Sequence, residues 1–134
     1  MDPVKCEQLK TELGSQEWPL VSIERFFDGN DDEGSIGCNL LPHPGMAAFR
    51  QVLIGLTERS DVVAVYASVA EVDPGATSWP FTDTIVVFGT LSEAALRLAL
   101  ATLEPDEIGP ASALGVPAPI LSRHPAPVFA AWWD

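Results

Sequence analysis

Basic residues are scarce in this chain: seven Lys and Arg stand against nineteen Asp and Glu, for a net charge of −12 at pH 7. The seven, Lys5, Lys10, Arg25, Arg50, Arg59, Arg97 and Arg123, are spread singly. Proteins that bind nucleic acid neutralise phosphates with clustered cations, and anionic membranes attract the same clusters. Nucleic acid and membrane are therefore not expected partners. Long apolar runs are missing too: no stretch approaches the ~18 apolar residues that suggest a membrane span. The first residues, MDPVKCEQLKTELGSQEW, are polar and lack the apolar core of a signal peptide, so a cytoplasmic location is expected. Cysteine is reduced to Cys6 and Cys38, read as free thiols in that compartment. No P-loop, dinucleotide glycine pattern, G-x-S-x-G or H-E-x-x-H motif occurs. The usual signatures of nucleotide, serine-nucleophile and zinc-peptidase chemistry are thereby absent.

What is present suits one α+β domain. The chain has 134 residues, 47% of them hydrophobic, enough for a sizeable core. Residues 1–18 carry Val4, Leu9 and Leu13 in a weak helical pattern. LVSIERFF at 20–27 alternates and predicts a strand. In GMAAFRQVLIGLTERS the apolar Met46, Phe49, Val52, Leu53 and Leu56 recur at helical spacing, predicting a helix over about 45–59. DVVAVYASVAEVD at 61–73 is apolar on both faces and predicts an inner strand. The loop PGATSWPFTD links it to a second strand, TIVVFGT, at 84–90. Thr90 or Ser92 then caps a helix with the stripe Ala95, Leu96, Ala99, Leu100, Leu103, which Pro105 ends. The segment 105–134 is proline-rich and reads as a C-terminal extension. Short extended pieces at 118–122 and 127–132 are confined to sheet edges by their prolines. The order β-α-β-β-α-β suggests a ferredoxin-like, two-layer sandwich: an antiparallel sheet of three to four strands, two main helices on one face, and a last strand to be found in the proline-rich end. The second face of 61–73 then needs a cover, from the tail, the first helix or a second subunit.

The densest chemistry lies in DGNDDEGSIGCN, residues 28–39, with carboxylates Asp28, Asp31, Asp32 and Glu33 among turn-forming Asn and Gly. Against an EF-hand loop, Asp28, Asn30 and Asp32 fit, but the required glycine is Glu33 and the closing glutamate is Asn39. The flanking helices are missing as well, so no metal is assigned. Cys6, Cys38, His43 and His124 lack zinc-ligand spacing. Cys38 and His43, oriented by Asp31 or Glu33, form the only nucleophile–base candidate, with no surrounding signature. No cofactor is expected.

Four tryptophans occur: Trp18, Trp79, Trp132 and Trp133. Trp18 reads as packing. Trp79, beside Phe81 in the long loop, reads as an interface anchor, as terminal Trp132 and Trp133 also can. The segments IERFFDGNDDEGSIGCNLLPHPG and SWPFTDTIVVFG resemble those of small, acidic, uncharacterised bacterial proteins, some of them in toxin–immunity contexts. The similarity covers roughly residues 18–108 and carries no catalytic residues over. With the net charge, the missing catalytic set, the carboxylate loop and the loop aromatics, the expectation is a non-enzymatic binding protein of the immunity or inhibitor type. In that expectation Asp28, Asp31, Asp32 and Glu33 mimic an anionic substrate of a basic, toxin-like partner, and Trp79 and Phe81 anchor it. Two alternatives stay open: a small enzyme using Cys38, His43, Asp83 and Glu33, and a homodimeric accessory protein joined through 61–73 or the Trp-rich tail.

Overall fold

A computed structural model describes residues 1–134. Asp2 opens the first helix, α1 (Pro3–Gly14), by accepting hydrogen bonds from the backbone of Val4 and Lys5, with proline at the first position. Cys6, Leu9 and Leu13 form its buried stripe. The stretch 20–27 departs from the expected single strand. Only β1 (Leu20–Ser22) is extended; the Ser22 hydroxyl then accepts from the Arg25 amide at 3.3 Å and starts α2 (Ile23–Phe27). Ile23, Phe26 and Phe27, at helical spacing, reach the core from that turn. Sequence alternation alone did not register the cap.

The amphipathic helix expected at 45–59 is α3 (Met46–Thr57), burying Phe49, Leu53 and Leu56. Strands β2 (Val62–Glu71) and β3 (Phe81–Gly89) form the central hairpin. Ser92 caps α4 (Glu93–Leu100), its hydroxyl accepting from Ala95 N at 3.0 Å, and a 3-10 turn continues to Leu103. Gly89 is a packing requirement: a side chain there would overlap the Asp61 carbonyl, which accepts from the Thr90 amide at 2.8 Å.

The proline-rich segment is part of the sheet rather than an appendage. It supplies β4 (Glu107–Pro110), the short helix α5 (Ala118–Leu121) and β5 (Val128–Trp132). The five strands run β1-β2-β3-β5-β4 and every neighbouring pair is antiparallel. This corrects the ferredoxin-like order, in which the split βαβ unit requires parallel neighbours. It also moves 127–132 from an edge to the interior. The prolines stop just short of β5, so its amides from Val128 onward are free to pair with β3 and β4. Residues 118–122, expected to be extended, instead make the turn of α5.

Helices α1 to α4 cover one sheet face, where Val65, Ala67, Ile85, Val87 and Ala131 join the main core. The doubly buried strand is β3, not β2: Ile85, Val86, Val87 and Phe88 are each 0% exposed, whereas Val63 of β2 is 60% exposed. On the other face the tail itself is the cover. Ala111, Val116 and Ile120 pack on Val86, Phe88 and Ala130 in a second, smaller cluster. His124 latches it, with Nε2 2.7 Å from Tyr66 Oη and its ring stacked on that tyrosine. The edges are blunted. Strand β1 has three residues, and the Ile108 carbonyl of β4 accepts from Arg97 Nη2 at 2.6 Å.

Candidate functional site

The loop 28–39 is folded around Asn30, which is buried. Its amide donates to the Phe26 carbonyl at 3.3 Å and to Ser35 Oγ at 3.0 Å, and its oxygen accepts from the Asp32 amide at 2.9 Å. This frame gives the four carboxylates different fates. Asp28 lies 2.7 Å from Lys5 Nζ, and Asp31 lies 2.7 Å from the amino group of Met1. Those cations hold both carboxyls below the usual range, and Asp28 raises Lys5 in return. Asp32 turns inward: Oδ1 accepts from Gly34 N at 2.9 Å and Oδ2 from Trp79 N at 3.0 Å, tying this loop to the β2–β3 loop. Glu33 has neither a permanent cation nor a backbone donor, its nearest basic group being His43 Nδ1 at 3.9 Å.

The other candidate residues are placed as follows. Trp79 is 1% exposed, with no acceptor for its indole Nε1, so its ring is spent on the core. Phe81 is half-buried at the start of β3. With Asp32, Cys38, Glu71 and Trp79 it lines a cleft of about 290 Å³ between the two loops. Cys38 is exposed there, whereas Cys6 is buried beneath α1, its thiol pushed up by burial and donating to Ser78 O at 3.5 Å. His43 works inside its own loop: Nε2 donates to the Ile36 carbonyl at 2.9 Å and Nδ1 accepts from Gly45 N at 2.8 Å. Both ring nitrogens are engaged, which leaves no free lone pair to activate Cys38. His124 sits on the other sheet face. No three His, Cys, Asp or Glu side chains converge as metal ligands. The largest groove, about 760 Å³ beside α2 and α3, is lined by residues including Glu24, Arg50, Gln51 and Glu58, with no nucleophile.

A second acidic group escaped the sequence. Pairing of Thr84 with Trp132 and of Trp132 with Glu107 brings the start of β3, the end of β5 and the start of β4 to one end of the sheet. Asp83, Asp106, Glu107 and Asp134 lie on the segments that end there, Asp106 and Asp134 lining one cleft, and none has a Lys or Arg in ion-pairing range. Their positions are held by backbone. The Trp133 amide donates to the Asp83 carbonyl at 2.9 Å, and the Asp134 amide to Asp106 Oδ2 at 2.6 Å. Trp133 secures the end of β5 through Nε1 to the Leu103 carbonyl at 2.8 Å. Asn39 then ties the acidic loop to the same end, donating to the Asp134 carbonyl at 2.9 Å. The signal that could have found this group is register, which a strand pattern alone does not supply.

The architecture is thus an α+β domain with a five-stranded antiparallel sheet and an acidic end. The chain belongs to the Uncharacterized protein YfbO family, whose model matches residues 4–129. It is similar to Uncharacterized protein YfbO of Escherichia coli (strain K12), 35% identical over 74 residues, 55% of this chain and 51% of that protein. The match thus spans about half the length of that relative. No solved structure matches.

Proposed function

We propose that this is a non-enzymatic acidic binding protein of the immunity or inhibitor type, which occludes a basic protein partner in the cytoplasm. The observation that carries the reading is the sheet end: Asp83, Asp106, Glu107 and Asp134, drawn from separate strands, have no cation of their own. Unpaired carboxylates on a fixed frame attract an opposite charge and set the association rate. Of the loop carboxylates, Glu33 is the one left uncommitted, while Asp28 and Asp31 are already neutralised and Asp32 supports the frame. Phe81, beside the cleft, is the better aromatic contact than buried Trp79. The enzyme reading ranks lower because His43 is committed to its loop. Self-association through this face would set like charges together.

The test is capture from native host lysate at low salt followed by a high-salt wash. A single stoichiometric basic protein is expected, released by salt and lost from an Asp83→Asn, Asp106→Asn, Glu107→Gln, Asp134→Asn variant. A basic partner bound equally by that variant would sink the proposal.

A further inference from the structure

Leu41 is 97% exposed, the most exposed large apolar side chain of the protein, yet its backbone is not free. On one side Leu40 packs against the main core, and its amide donates to the Gly37 carbonyl at 3.0 Å. Gly37 has φ +62°, and a side chain there would lie 2.7 Å from the Phe49 ring, so this turn seats directly on α3. On the other side His43 clasps Ile36 and Gly45 across the base of the loop. Between these fixings Leu41 and Pro42 project as an apolar knob. We propose that Leu41 is the apolar anchor of the interface, entering an apolar pocket ringed by Lys or Arg on the basic partner.

Two observations identify that occupant. Asn39 and Leu40 line a cleft of about 160 Å³ with Asp106, Trp133 and Asp134, which places the knob beside the unpaired carboxylates. Its walls combine apolar Leu40 and Trp133 with two acids, the complement of a Lys or Arg whose stem lies on the wall and whose head reaches the carboxylates. A held loop also spends little entropy on binding, which favours an anchor over a floppy contact. The inference rests on the acidic-binding reading and names where its affinity resides.

Two synthetic peptides of equal positive charge separate the two ideas, one alternating Lys with Trp and one alternating Lys with Ser. Each is titrated against the protein and followed by backbone amide shifts. The Lys/Trp peptide is expected to shift the amides of residues 39–41 and to lose about tenfold in affinity on Leu41→Ser. The Lys/Ser peptide binds both proteins alike, and Leu98→Ser, at an 81% exposed leucine elsewhere, changes nothing. If Leu41→Ser leaves Lys/Trp affinity unchanged while neutralising Asp106 and Asp134 weakens both peptides, the anchor is overturned and the acidic reading survives. If neither peptide binds at low salt, both fall. Sedimentation showing a dimer that Leu41→Ser dissolves would assign the knob to a second copy instead and likewise overturn the proposal.

Discussion

Lys10 is the charged side chain that the structure takes furthest from water: 8% exposed, it donates to the Gly75 carbonyl at 2.9 Å and pairs with Asp73 at 2.9 Å. It fastens α1 to the β2–β3 loop, the same loop that Asp32 ties to the 28–39 segment through the Trp79 amide. The hydrogen bond to Asp73, with the nearby negative charges, raises its pKa above 10.5 against the opposing effect of burial. A raised folded value means the contribution is complete below the unfolded value, about 10.4, and is lost as pH climbs through the folded one. Lys10→Met keeps the apolar stem and removes the charge. It is expected to cost about 1–2 kcal/mol in urea unfolding at pH 8. The gap between wild type and variant should begin to narrow above about pH 10.4 and close once the raised folded value is passed. A gap that persists at pH 12 would show that packing, not charge, carries the effect. A lysine in a weakly patterned helix gives no sign of this role, because its partners lie more than sixty residues away.

Among the elements, the tail decides most. With β5 inserted between β3 and β4, the last residues form an inner strand, and the segment before them closes the second sheet face. Ending the chain at Pro127 would leave Ile85–Phe88 without one ladder and β4 without any. Such a truncation is expected to abolish cooperative unfolding, read by circular dichroism against denaturant. Ile120→Ala, at a 3% exposed position in the smaller cluster, is expected to cost about 2–3 kcal/mol while leaving the fold intact. A cooperative truncated protein together with a neutral Ile120→Ala would mean that the tail is dispensable. The elements legible beforehand were those with a strong local signal: the stripe of α3, the β-branched strands of the hairpin and a cap at Thr90 or Ser92, of which the fold uses Ser92. Strand β4, four residues reading EIGP, has too few side chains to show any period.

For the molecule as a whole, the balance of nineteen acids to seven bases means self-repulsion at neutral pH. The ion pairs at Asp28, Asp31 and Asp61 relieve it locally, but the sheet end is left uncompensated. Added salt screens repulsion over about 10 Å at 0.1 M. Melting temperature at pH 7.5 is therefore expected to rise by about 2–5 °C between low salt and 0.5 M NaCl, consistent with ~1 kcal/mol in a domain of this size. A flat or falling melting temperature would show that the native ion pairs outweigh the net repulsion.

Charge sign, helix α3, the central hairpin and the absence of motif-defined chemistry were all readable along the chain, because each depends on residues within one or two turns of one another or on simple totals. The order of strands, the inner place of β5, the identity of the doubly buried strand and the division of carboxylates into paired and free were not. Those depend on which distant segments meet. Lys5 reaches Asp28 across 23 residues, and Asn39 reaches Asp134 across 95. A carboxylate in DGNDDE and one in EPDE look alike in the sequence; packing neutralises Asp28 and leaves Asp106 open because only the folded chain determines where the few cations stand.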